Sequence, residues 1–231
     1  MSKIGKNVGK HQKHGTEEKM MYWYYKGVEY FEANKNRVYT ILTVFVLIIA
    51  VIFIYFRNEN QKSETAALEL AKVKQIYSAD MYQMAINGDS LGMSKGLVYI
   101  VNEYGSTESG ETAKLMLANS YYNLRDFENA NKYYNDYSGK NEMFKAAAFA
   151  GLGAVAETKG DWVNAAKYFE RASKVSKSIS NNDEYIFYAI RCYFNAKDND
   201  NLKKAIKTLK TDFPKSKFVA QLPRYDNGEQ S

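Results

Sequence analysis

The sequence predicts an all-α chain, with a single N-terminal transmembrane helix followed by a stack of helical repeats. Three observations predict it. Residues 38–56 lie between Arg37 and Arg57 without a single charge. Two later stretches align with each other without a gap, 35 residues apart. The chain has only two prolines, so little interrupts a succession of helices.

The N-terminal elements follow in order. Residues 1–15, "MSKIGKNVGKHQKHG", are polar and lack apolar periodicity, which predicts a disordered basic tail. Residues 16–37 predict an amphipathic juxtamembrane helix. Thr16 can cap it, Glu17 and Glu18 suit its first turn, and Met20, Tyr24, Val28 and Phe31 recur at helical spacing. Met21, Trp23 and Tyr25 widen that stripe. Three readings stay open for it: a helix lying on the membrane lipid, a docking helix for a membrane partner, or an early start of the span.

Residues 38–56 predict the span itself. As a helix they cover about 28 Å, close to the roughly 30 Å hydrocarbon thickness of a bilayer. Tyr39 and Tyr55 sit near its ends, where phenol rings favour the water–lipid boundary. The run closes on Tyr55-Phe56-Arg57, without the small residues of a cleavage site, so it reads as a retained anchor instead of a removed signal or a buried core helix. The flanking cations balance across the span. Lys3, Lys6, Lys10 and Lys13 tip the count toward a cytoplasmic N-terminus and a C-terminal domain on the far side.

Residues 57–231 are long enough for one domain with its own core. Acids and bases nearly balance there, 24 Lys and Arg against 22 Asp and Glu, and no basic patch gathers that would mark a nucleic-acid partner. Cys192 is the sole cysteine, which excludes an intrachain disulfide.

Residues 57–106 predict a linker helix and a divergent capping pair, Glu64–Ile86 and Leu91–Tyr104, the first continuing directly from the span. Residues 107–220 carry the repeats. "ETAKLMLANSYYNLRDFENANKYYNDYS" from Glu111 aligns with "AAAFAGLGAVAETKGDWVNAAKYFERAS" from Ala146. Ala118 pairs with Gly153 and Ala130 with Ala165, small residues where two helices approach closely. Tyr134 pairs with Phe169, large rings that fill the space toward the next unit, and Asp126 pairs with Asp161 as a cap for the second helix. This is the logic of the tetratricopeptide repeat, a helix pair that must stack to bury its faces. In a third, less regular unit Ala205 takes the place of Ala165, Leu202 that of Trp162, and Cys192 or Tyr193 the small position. Residues 221–231 predict a flexible tail.

An N-terminal span followed by "NEYGSTESGETAKLMLANSYYNLRDFENANKYY", "GLGAVAETKGDWVNAAKYFERAS" and "LKTDFPKS" resembles the YfgM-like ancillary subunits of the bacterial Sec translocon in their Bacteroidota form, over about residues 20–220. The resemblance implies a single-pass inner-membrane protein with a cytoplasmic tail and periplasmic repeats. It also implies association with SecY, SecE and SecG, and a link from exported polypeptides to periplasmic chaperones. Two other readings share the layout: an envelope scaffold for cell-wall synthesis or outer-membrane assembly, and a cytosol-facing organellar import receptor.

No cofactor and no enzyme activity are expected. His11 and His14 lack a third metal ligand, and "DNDN" at Asp198–Asn201 lacks the glycine and glutamate of a calcium loop. No nucleophile is paired with a base. In stacked repeats the first helix of each pair lines the inner face. The alignment places Asn119, Tyr122 and Asn123 there from the first unit and Glu157 and Thr158 from the second, amide and phenol groups able to hold a peptide backbone. Ala147, Ala150 and Ala154 make the second unit's face shallow.

Overall fold

A computed structural model describes residues 11–225; all of their regular structure is helical, and no strand occurs among them. The chain divides into two compact units, one up to Glu59 and one from Asn60 onward.

The first unit holds α1 (His11–Ala33) and the beginning of α2 (Lys35–Ser78). Helix α1 starts at His11, earlier than expected, so residues 11–15 belong to it and Thr16 lies inside it instead of capping it. The rest of the expected tail lies outside the described residues. Asn34 separates the two helices. Its backbone N–H donates to Tyr30 O at 3.0 Å and Phe31 O at 3.2 Å, and its side-chain amide also donates to Tyr30 O, at 3.0 Å. Asn34 is a turn residue, and the Val38 N–H donates to its carbonyl at 3.0 Å to open the next ladder, so the helix is interrupted at this residue. Helix α1 and the apolar helix α2 are therefore separate elements. At about 100° per residue, Met20, Tyr24, Val28 and Phe31 share an arc of about 80°, with Glu17 inside that arc and Trp23 beside it. From Tyr39 to Phe56 every large apolar side chain is exposed; Ile41 is 69% exposed and Phe53 65%. Helix α2 is the one described helix long and apolar enough to cross a membrane, and none of that stretch is buried in protein.

The second unit begins with the end of α2, where Ala66, Glu69, Leu70 and Val73 are buried. The expected helix Glu64–Ile86 breaks at residues 79–81, where Asp80 takes a left-handed φ of 56°, and resumes as α3 (Tyr82–Asn87). The expected helix from Leu91 starts only at Gly96, as α4 (Gly96–Tyr104). The residues between form a closed loop. The Asp89 carboxylate accepts the backbone N–H groups of Leu91, Met93 and Ser94 at 2.9, 3.0 and 2.6 Å. Gly88 (φ 91°) and Gly96 (φ 82°) close it, their backbones packed so near one another that a Cβ on either would overlap the opposite strand of the loop.

Three helix pairs follow: α5 (Glu108–Asn123) with α6 (Phe127–Asn135), α7 (Glu142–Thr158) with α8 (Trp162–Ser173), and α9 (Asn182–Asn195) with α10 (Asn199–Asp212). Each packs chiefly on its neighbours in sequence, and α5 also touches α7. One turn construction recurs in all three. A residue with left-handed φ, Arg125 (61°), Gly160 (73°) or Lys197 (57°), precedes an aspartate. That aspartate accepts the backbone N–H three residues on, and its second oxygen accepts the side-chain amide of an asparagine there: Asn129, Asn164 and Asn201, at 2.7, 2.7 and 2.8 Å. "DNDN" is this cap.

The shared turn resets the register of the third unit. Eight residues before the aspartate stand Ala118, Gly153 and Ile190; four residues after it stand Ala130, Ala165 and Leu202. The expected placing of Ala205 with Ala165, and of Cys192 or Tyr193 at the small position, is thus displaced. The cap, not the alanine, fixes where the second helix begins. Ile190 and Leu202 fill the close approach with branched side chains, both buried.

In the second unit the rings of Tyr134 and Phe169 lie against glycines. A Cβ on Gly151 would overlap the Tyr134 ring of the preceding pair, and one on Gly153 would stand 3.0 Å from the ring of Phe169. Phe169 also meets Tyr188 of α9 edge to face at 5.3 Å. The C-terminal segment is not loose up to Tyr225. A 3₁₀ turn, Val219–Arg224, buries Leu222, Phe218 stacks on Phe187 at 4.7 Å, and Tyr225 meets Phe187 and Phe194. These contacts correct the expected tail at its start; the rest of it lies outside the described residues.

Candidate functional site

The five residues expected on the first-helix face divide into two groups. Asn119 and Glu157 are bound up in contacts between helices. The Asn119 side-chain carbonyl accepts the Tyr134 hydroxyl at 2.6 Å, and its amide donates to the Tyr77 hydroxyl of α2 at 3.3 Å. Burial pushes the Tyr134 phenol well above its ordinary pKa, so it stays protonated and remains the donor. Glu157 accepts two hydrogen bonds from the Arg191 guanidinium, both at 2.8 Å, which tie α7 to α9. Arg191 also lies over the Tyr188 ring at 5.0 Å, and the Tyr188 hydroxyl donates to Glu184 at 2.7 Å. Cys192 sits beside Glu157; burial first, and that carboxylate second, push its thiol far above the ordinary range.

Tyr122, Asn123 and Thr158 come together instead. With Arg125 and Phe127 they line a shallow cleft of about 450 Å³, at the ends of α5 and α7. Phe127 supports Tyr122 edge to face at 5.5 Å. The Asn123 amide donates to Asn119 O at 2.8 Å and the Thr158 hydroxyl to Val155 O at 2.7 Å. Both side-chain oxygens keep accepting capacity toward the cleft. The Arg125 guanidinium forms no ion pair or hydrogen bond with any described residue, so it is the cleft's available cation.

The register alone does not make the division; the partner on another helix does. Asn119, Ala154 and Arg191 hold equivalent places on successive first helices, as do Tyr122, Glu157 and Phe194. Asn119 and Arg191 from the first set and Glu157 from the second supply the cross-links, whereas Tyr122, the equivalent of Glu157, lines the cleft. Sequence reasoning missed Arg125 as a site residue, although its alignment with Gly160 signalled a turn that throws the side chain outward. It also missed Tyr77 and Arg191, the partners that occupy Asn119 and Glu157, because each lies more than thirty residues away in the chain.

The remaining expected packing positions are interior. Ala118, Ala130 and Ala165 are fully buried. Met20, Trp23, Tyr24, Val28 and Phe31 are all exposed along α1. No group of three His, Cys, Asp or Glu able to hold a metal occurs among the described residues. Compared with protein-family models, curated proteins and solved structures, the chain finds no match.

Proposed function

We propose that this chain is a membrane-anchored adaptor of tetratricopeptide-type repeats, associated with the SecY–SecE–SecG protein-export channel. Helix α2 is its single span, the N-terminus is cytoplasmic, and the repeats stand in the periplasm, where they link translocating polypeptides to chaperones. The protein is not an enzyme; its work is binding. One observation carries the reading: an uncovered apolar helix is joined to helix pairs that repeat one turn construction three times. The likeness to YfgM-like subunits supplies the channel as partner, and the early lysines supply the orientation.

The cleft of Tyr122, Asn123, Arg125 and Thr158 is the contact we assign to the emerging polypeptide. It offers a cation, two side-chain oxygens and an aromatic wall, enough to hold a backbone without reading much sequence. Purification in mild detergent through a C-terminal tag tests the proposal. SecY, SecE and SecG should be enriched with the full-length protein. Recovery of wall-synthesis or outer-membrane-assembly proteins alone would overturn the assignment in favour of an envelope scaffold.

A further inference from the structure

A second cleft, of about 520 Å³, opens on the other ends of the pairs, where α8 and α10 finish beside the start of α9. It lies apart from the cleft assigned above and shares none of its residues. Its floor holds Asn182, only 2% exposed. The Asn182 amide donates to Ser176 O at 2.7 Å, which fixes which way the group is turned. Its side-chain carbonyl oxygen is then buried without any partner. Such an acceptor lacks the hydrogen bond it would make in water, and a ligand N–H or O–H would restore it. Ile186 and Phe213 add apolar wall.

The rim carries charge of both signs. Lys177 has no partner among the described residues, whereas Lys174 is engaged by Glu170 at 2.9 Å. Asp212 accepts the Thr211 hydroxyl on one oxygen, at 2.9 Å, and keeps the other. The Thr208 hydroxyl donates to Lys204 O at 3.1 Å and still accepts. A bare anion would meet Lys177 but also the Asp212 carboxylate, and would leave the Asn182 oxygen unpaired. A bare cation would meet Lys177 as a like charge.

We propose that this cleft binds an extended acidic peptide segment: a backbone N–H donates to Asn182 Oδ1, a second N–H to Asp212, and a glutamate or aspartate side chain pairs with Lys177. Alternate N–H groups of an extended strand point the same way about 6–7 Å apart, so one strand presents two donors to the same side. The apolar walls take the neighbouring side chain.

The test is fluorescence anisotropy of the full-length protein in detergent micelles, with fluorescein-labelled Ala-Leu-Glu-Glu-Ala-amide as probe. Saturable binding is expected, and Lys177→Glu, an exposed change that leaves the fold intact, should weaken it about tenfold or more. The Gln-Gln version of the probe should lose a similar factor. N-methylation of the glutamate amides should also weaken binding at unchanged charge, which reads the backbone contacts to Asn182 and Asp212 without altering the protein. No saturation by about 1 mM, equal affinity of the Lys177→Glu protein, or full affinity of the N-methylated probe would each overturn the proposal. So would complete displacement by inorganic phosphate at low millimolar concentration, which would mark a simple anion site.

Discussion

Glu111 shows how a single buried charge joins two elements. Its carboxylate, largely shielded, accepts Lys114 at 2.7 Å and both the backbone N–H and the hydroxyl of Ser138, at 2.8 and 2.7 Å. The chain between α6 and α7 is thereby fastened to α5. Burial alone would raise the carboxyl pKa, but the bonds from Lys114 and Ser138 outweigh it and hold it below the usual carboxylate range. The folded value is thus lower than the unfolded one, about 4.3. The resulting stability is complete above that value and disappears as pH falls through the folded pKa. Glu111→Gln should lower stability at pH 7 by about 1–3 kcal/mol and flatten the acid limb of a melting-temperature profile. An unchanged acid limb would show that the contact contributes nothing. Cys192 makes a complementary case. Buried and with its thiol pKa raised, it should resist maleimide in the folded protein and react at once in denaturant.

At the scale of elements, the turn cap is the recurring device. Replacing Asp126, Asp161 or Asp198 with Ala removes the acceptor for one backbone N–H and one asparagine amide. Each should cost about 0.5–2 kcal/mol, measurable by denaturant unfolding. Costs near zero at all three would mean that packing alone sets the helix starts. Gly153→Leu should be worse, about 1–3 kcal/mol or more, because the Phe169 ring leaves no room for a side chain. Much of this was legible in the sequence. The long apolar helix, the two regular units and their small and aromatic positions follow from local spacing, which a helix translates directly into faces. Where the sequence misled, a backbone event was responsible. Asp80 and the Asp89 loop interrupt an apolar pattern that keeps its period across them, and the third unit's register follows a cap while its alanine suggests another. The cleft was half legible for a related reason. Helical spacing tells which residues share a face, so Tyr122, Asn123 and Thr158 could be found. It does not tell which of them a distant helix has already engaged, so Asn119 and Glu157 looked free.

At the scale of the molecule, α1 precedes the apolar stretch of α2 with exposed aromatic residues of its own. Asn34 ends it as a separate helix, so its aromatic residues are not merely the first turns of α2. Met20, Trp23 and Phe31 are 71%, 68% and 36% exposed; Trp23 meets its neighbour Tyr22 edge to face at 5.9 Å, and Phe31 meets Tyr39 of α2 at 5.8 Å. With α2 spanning a bilayer as proposed, exposed side chains of that size have two partners on offer, lipid and another membrane protein. Two anchored proteins confined to one bilayer gain from each contact made beside it, because the anchors already restrict their motion. A channel-associated adaptor would therefore use this helix as part of its docking surface. Changing Met20, Trp23 and Phe31 together to Ser should leave the melting of the unit from Asn60 onward untouched, since none of these residues belongs to its core. Recovery of SecY, SecE and SecG with the tagged protein should fall by more than half at equal expression. Loss of recovery with unchanged membrane insertion would place the contact on α1. Full recovery would assign α1 to lipid and leave the contact to the span or the repeats.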